Sequence, residues 1–176
     1  MSEGTSVFLT KKKMKMTTLC YLQDGNRYLM LHRTKKKKDD NADKWIGIGG
    51  KFEDGESPED CVLREVREET GLNLLQYRYR GIITFVNDRY PTEYMHLFTA
   101  TEWEGVPCEC DEGELAWIDK QELLRLPMWE GDRFFLQLLD TDHPFFSLKL
   151  VYSGERLLDA VLDGKTVVHQ FPPKKR

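Results

Sequence analysis

Glu65, Glu68 and Glu69 lie within the run Gly50 to Leu72, GKFEDGESPEDCVLREVREETGL, at spacings of three and four residues. Residues so spaced on a helix are surface neighbours, so these acids crowd one edge, and only Glu68 has a base, Arg64, placed to balance it. Each such repulsion costs about 0.2–0.5 kcal/mol on an exposed helix, and more beside a core where the dielectric falls. A solvated acidic face is the plain alternative, but a divalent cation would turn the repulsion into binding. No His or Cys sits among these acids at zinc spacing, and hard oxygen ligands favour magnesium or manganese, which commonly arrive with a phosphate. Just upstream, Gly49-Gly50 permits close backbone approach, so a carbonyl there can complete a coordination shell and Lys51 can meet a phosphate oxygen.

These side chains need a helix to present them. Ser57-Pro58-Glu59-Asp60 is a helix start, with a side-chain cap, proline at the first helical position and acids in the first turn; Gly71 is the stop. At about 100° per residue, Val62, Leu63, Val66 and Thr70 form a core face, and Cys61, Glu65, Glu68 and Glu69 the adjoining acidic one.

Around that helix, Thr17 to Leu22 and Arg27 to His32 predict a hairpin about Gln23-Asp24-Gly25-Asn26. Residues 34–44 predict a charged loop, and Trp45 to Phe52 a glycine-rich strand. Further strands are expected at Tyr77 to Val86, Tyr94 to Glu102 and Glu114 to Ile118, and a late hairpin at Ser147 to Tyr152 and Arg156 to Val161. Helices are expected at Lys120 to Leu126 and through Phe134 to Leu139. This order implies an α/β or α+β layered sandwich around a mixed sheet.

With 176 residues, 40% of them hydrophobic, the chain suits one buried core. We expect a single domain over residues 14–171, a flexible extension over 1–13 and a disordered basic tail over 172–176. A formal charge of -4 argues against a general nucleic-acid binder and for a small ligand. No segment has the length and apolarity of a signal peptide or a bilayer span, so a cytoplasmic protein without membrane contact is expected. Cys20, Cys61, Cys108 and Cys110 are read as free thiols. The sequence carries no sign of oligomeric state.

The same run resembles the Nudix box. Gly50 is followed after five residues by Glu56 and after seven more by Arg64-Glu65-Val66; Glu68-Glu69, Gly71 and Leu72 complete the pattern. The resemblance covers residues 17–163 and implies an α/β/α sandwich around a mixed β-sheet and hydrolysis of a diphosphate bond. It also implies that Gly49 gives its carbonyl to the metal, that Glu65, Glu68 and Glu69 ligate it, and that Arg64 orients the acids. Glu56, like Gly50, would stand behind them. Either Glu65 or Glu112 is the candidate base, and the late acid Glu112 can also reach the metals; alone, Glu112 would read as a loop charge.

Arg33 ends a strand where similar triphosphatases place a basic side chain for phosphate. Lys35 to Lys38 either draws in an anionic substrate or is simply solvated. The segment Leu126 to Phe135, LPMWEGDRFF, looks like the base-reading element of MutT-type oxidised-purine nucleoside triphosphatases. There Trp129 would stack on a purine, Asp132 would bond its edge and Phe85 would line the opposite wall; ordinary core is the other reading of Trp129. Two departures stand out: Gly131-Asp132 replaces a pair of adjacent acids, and Trp45-Ile46-Gly47 lacks the asparagine that follows tryptophan in similar animal enzymes.

The resemblance therefore implies a magnesium-dependent hydrolase, with manganese as substitute, that splits a nucleoside triphosphate such as 8-oxo-dGTP into monophosphate and pyrophosphate. Such an enzyme sanitises the nucleotide pool and so serves DNA repair. A Nudix diphosphatase for ADP-ribose, a dinucleoside polyphosphate or capped RNA is the second reading; a non-catalytic nucleotide-binding module is the third.

Overall fold

A computed structural model describes residues 13–35 and 38–167. The expected basic tail, the expected N-terminal extension apart from Lys13, and Lys36 and Lys37 lie outside the described residues.

Strands β1 (Lys15–Asp24) and β2 (Arg27–Arg33) form the expected hairpin, with Gln23 opposite Tyr28 and Asp24 opposite Arg27. The two strands then part. Strand β3 (Trp45–Ile46) pairs with β2 at Leu31 and His32, and the residues after it bridge back to β1, Ile48 to Cys20 and Lys51 to Thr17. The strand expected across Trp45 to Phe52 is thus two residues and two isolated bridges. Its middle lies so close to β1 that a Cβ on Gly49 would overlap the Thr18 carbonyl oxygen, which leaves no room for a side chain there.

Strands β4 (Asn73–Asn87) and β5 (Glu93–Glu104) run antiparallel; β5 lies parallel to β1, and β4 parallel to β7 (Phe146–Ser153). The late hairpin joins β7 to β8 (Arg156–Leu162), and β9 (Lys165–Thr166), unforeseen because it is so short, pairs with β8. Strand β6 (Gly113–Asp119) pairs with β2. Among the described residues the mixed sheet has nine strands, in the order β3-β2-β1-β5-β4-β7-β8-β9 with β6 beside β2.

Side chains of successive strand residues point to opposite faces, and here both faces are covered. Leu19 and Tyr21 of β1 and Tyr28 and Met30 of β2 pack with Phe134, Phe135 and Leu139 of helix α3 (Asp132–Asp140). Their neighbours Cys20, Leu22, Leu29 and Leu31 pack on the other face with Val62 and Val66 of helix α1 (Pro58–Thr70). That accounts for the continuous apolar run in β2 and sets the sheet between two helices. A third helix, α2 (Lys120–Leu123), is shorter than the expected span to Leu126.

Helix α1 has the termini its sequence predicts. The Asp60 amide donates to Ser57 Oγ at 3.1 Å and the Ser57 amide to Asp60 Oδ2 at 3.0 Å, which closes a capping box. Gly71 ends the helix in the left-handed region at φ 76°. All four cysteines are free thiols, with Cys108 alone exposed. Among the described residues no helix is long and apolar enough to cross a membrane.

Candidate active site

One cavity of about 600 Å³ runs between the glycine segment, α1 and the start of α3. At one end stand Gly49, Gly50, Lys51, Glu65, Glu69, Arg33 and Glu112; Phe85, Trp129 and Asp132 line the same space.

Helix α1 sets the acids. Its helical rotation aims Glu65 and Glu69 inward, with Glu65 14% exposed, whereas Glu68 is 59% exposed and does not border the cavity. Glu69 is buried and accepts the Gly49 amide at 3.3 Å. A Cβ on Gly50 would fall within 2.6 Å of the three carboxyl atoms of Glu65, so the acid lies flat on a backbone that only glycine leaves open. The Gly50 carbonyl accepts the Thr18 amide at 2.9 Å.

Arg64 organises this end. Its Nε and Nη2 donate to the two oxygens of Glu56 at 2.5 and 2.8 Å, and Nη1 donates to Glu65 Oε1 at 2.8 Å and Glu68 Oε2 at 3.3 Å. A further bond from Nη2 to the Lys51 carbonyl, at 2.9 Å, ties the helix to the glycine segment. The guanidinium, helped by the Glu53 amide, lowers the Glu56 carboxyl to about 2. Cys61, expected on the acidic face, is fully buried where Thr18 and the Gly50 backbone close over it, and burial lifts its thiol to about 11. Leu63, expected on the core face, is only partly buried.

Across the cavity Arg33 pairs with Glu112 through Nη1 and donates from Nε to Asp39 Oδ2 at 2.6 Å. Lys38 borders the cavity, whereas Lys35 bonds the Cys110 carbonyl. Glu65, Glu69 and Glu112 offer oxygen only, on the walls of one cavity, and in kind that set fits a hard divalent cation. Each is held here by a protein donor, and among the described residues no three His, Cys, Asp or Glu side chains are drawn together as a metal group.

At the other end, Trp129 meets Phe85 edge-on at 5.2 Å and Tyr152 at 5.2 Å. It belongs both to the core and to the cavity wall, so the two readings of this residue are not exclusive. Lys44 Nζ sits 4.5 Å over its ring and pairs with Glu155 at 2.8 Å. Asp132 borders the cavity yet is only 7% exposed, and burial, partly offset by Arg133 and Lys44, raises its carboxyl to about 8. Why residue 131 carries no second acid is a matter of space: a Cβ there would come within 2.6 Å of Leu150 Cδ1 and the Tyr152 hydroxyl, which accepts the Gly131 amide at 2.7 Å.

Two participants were not foreseen. Asn41 Oδ1 accepts the Trp129 indole N–H at 2.8 Å, and Asp39 accepts the Arg33 bond. Both lie in a loop whose composition reads only as solvated charge. Ile46, which stands where the resemblance implies an asparagine, lines the cavity, and so does Asn41.

A family model described as the NUDIX domain matches residues 13–139. The chain is 34% identical over 160 residues to the Nudix hydrolase YvcI of Bacillus subtilis, spanning 88% of this chain and 98% of that one. It is 34% identical over 129 residues to an oxidized purine nucleoside triphosphate hydrolase of Danio rerio, spanning 71% of this chain and 79% of that one. Among solved structures, a MutT protein from Bacillus halodurans matches with a TM-score of 0.75 and 29% identity, over 86% of this chain and 99% of that one.

Proposed function

The chain belongs to the Nudix domain family and is a pyrophosphohydrolase acting on nucleotides, and from that premise we propose that its substrate is a purine nucleoside triphosphate, an oxidised one such as 8-oxo-dGTP foremost. The products are then a nucleoside monophosphate and pyrophosphate, and the role is sanitation of the nucleotide pool in the cytoplasm, upstream of DNA repair. The observation that carries the reading is the single cavity with acids at one end and Trp129, Phe85 and Asp132 along the other. Its volume of about 600 Å³ and its lining suit a ligand that is anionic at one end and aromatic at the other.

Glu65, Glu69 and the Gly49 carbonyl, with Glu112 opposite, would hold magnesium, or manganese in its place. Glu68 would contribute only after turning inward, since it now faces Arg64 and solvent. When bound, the ion supplies neutralisation of the polyphosphate charge and acidification of the attacking water. The chain does the rest. Glu65 or Glu112 takes the proton of that water as it attacks phosphorus in line, while Arg64 keeps Glu65 in place. Arg33 and Lys51 meet phosphate oxygens at the cavity wall.

At the base end Trp129 offers an aromatic surface and Asp132 a group that, being raised to about 8, is protonated at neutral pH. A protonated carboxyl donates a hydrogen bond, which suits the 6-oxo group of a guanine-type base. The relative from Danio rerio, named for oxidised purine triphosphates, supports the same substrate.

The experiment is a product-resolved panel of 8-oxo-dGTP, dGTP, ATP, ADP-ribose and dinucleoside polyphosphates with magnesium. A preference for the oxidised purine of at least tenfold, about 1.4 kcal/mol in the barrier, is expected. A smaller preference, or faster turnover of ADP-ribose, would overturn the substrate assignment.

A further inference from the structure

Between the two ends of the cavity runs an unbroken chain of hydrogen bonds through a loop that a sequence reading treats as surface. The Trp129 indole N–H donates to Asn41 Oδ1 at 2.8 Å. An indole nitrogen is a donor only, so Asn41 must present its oxygen there, which turns its amino group elsewhere. The Asn41 backbone amide donates to Asp39 Oδ1 at 3.0 Å, and Arg33 Nε donates to Asp39 Oδ2 at 2.6 Å. Arg33 Nη1 then pairs with Glu112. All five residues border the cavity.

Asp43 and Lys44, at the end of this loop, are anchored to β2. The Arg33 amide donates to the Lys44 carbonyl at 3.1 Å and the Asp43 amide to the Arg33 carbonyl at 2.8 Å, so the loop closes on the backbone of the arginine it orients. Asp39 and Arg33 are 10% and 12% exposed, where charge-assisted bonds are strong and a displaced partner is costly. With Nε committed to Asp39 and Nη1 to Glu112, Nη2 is, among the described residues, the nitrogen of Arg33 left to meet a phosphate.

We propose that Asp39 is a positioning residue for the hydrolytic end of the cavity. By gripping Arg33 with one carboxylate oxygen and the Asn41 backbone with the other, it makes the placing of Glu112 depend on Trp129. Occupation of the aromatic end by a base is then felt at the acid, so substrates without a fitting base are turned over slowly even when their phosphates bind. The inference rests on the proposed assignment of the Trp129 end to the base; the hydrogen-bond coupling itself can be read without any nucleotide.

The test follows the Arg33 Nε–H resonance in nucleotide-free protein labelled with nitrogen-15 arginine. Slow exchange with water is expected in the wild type, at least about tenfold faster exchange in Asp39→Asn, and about threefold or more in both Asn41→Ala and Trp129→Phe, the last of which keeps a ring but loses the donor. If Trp129→Phe and Asn41→Ala leave the rate unchanged, the coupling is refuted, whatever the substrate proves to be. In turnover, Asp39→Asn should lower kcat about tenfold with KM within about twofold, and Asp39→Glu should recover part of the loss. A KM effect with kcat intact would make Asp39 a support for phosphate binding alone and overturn the proposal.

Discussion

Arg64 grips Glu56 with two parallel hydrogen bonds, Nε to Oε1 at 2.5 Å and Nη2 to Oε2 at 2.8 Å, and spends its third nitrogen on Glu65. Glu56 thus acts through the arginine, which it fixes in the one orientation that sets a cavity acid. Lysine cannot reproduce a planar fork. Arg64→Lys should therefore lower kcat about 100-fold while nucleotide affinity changes little, because a misplacement near 1 Å costs about that much. Steady-state kinetics beside equilibrium binding checks this.

The same pair predicts an acid limb in stability. Glu56 is lowered from its ordinary value of 4.5 to about 2 in the fold, so its stabilising contribution is complete above about 4.5 and is lost as pH falls through about 2. Melting temperatures from pH 6 to pH 2 should show a shallower acid decline in Glu56→Gln than in the wild type. Parallel declines would contradict the pairing.

Gly50 is required by space, since a methyl there would fall on the Glu65 carboxyl. Gly50→Ala should leave the melting temperature within a few degrees of wild type while reducing kcat about 100-fold. A variant that is fully active would mean that Glu65 does not work from its present position.

Asp132 carries a pH signature of the opposite sign. Its folded carboxyl is raised to about 8 from 3.8, so the native state holds the proton more tightly and stability falls as pH rises between those values. Asp132→Asn should become progressively more stable relative to wild type across that window. In turnover, the preference of the wild type for 6-oxo over 6-amino purine triphosphates should decline as pH passes about 8, and Asp132→Asn should abolish that step. Ratios of kcat/KM from pH 6.5 to 9.5 measure it.

Ser57→Ala separates fold from chemistry. Loss of the cap should cost about 1 kcal/mol in a denaturant titration, with kcat unchanged, because Ser57 bonds Asp60 and lies outside the cavity.

What the chain discloses about itself follows from the range of each interaction. Helix α1 is legible because its cap, its proline and its Gly71 stop are local, and the β1–β2 hairpin for the same reason. Helical rotation alone put Leu63 on the core face, where it packs only partly buried, and Cys61 beside the acids, but could not show that Thr18 and Gly50 close over Cys61 from outside the helix and bury it. Rotation likewise could not tell Glu69, which lies under the Gly49 amide, from Glu68, which faces solvent.

The aromatic end of the cavity was legible only in part. Trp129, Phe85 and Asp132, named from the resemblance, line one cavity, but no local pattern announces that Asn41 reaches Trp129 across 88 positions. Nor does any pattern show why residue 131 is glycine; the reason lies in Leu150 and Tyr152, on a strand that comes later. Strand β3 is short because the glycine segment lies too close to β1 for a regular ladder, whereas α2 gives way after Leu123 to turns in which the Arg125 amide donates to the Glu122 carbonyl and the Leu126 amide to the Leu123 carbonyl.

The most direct test of the whole account is turnover of 8-oxo-dGTP with magnesium in oxygen-18 water, by wild type and by Glu69→Gln, with both products identified. The account predicts 8-oxo-dGMP and pyrophosphate from the wild type and a rate at least about 1,000-fold lower in the variant. Release of orthophosphate and a diphosphate, or undiminished turnover in Glu69→Gln, would contradict it.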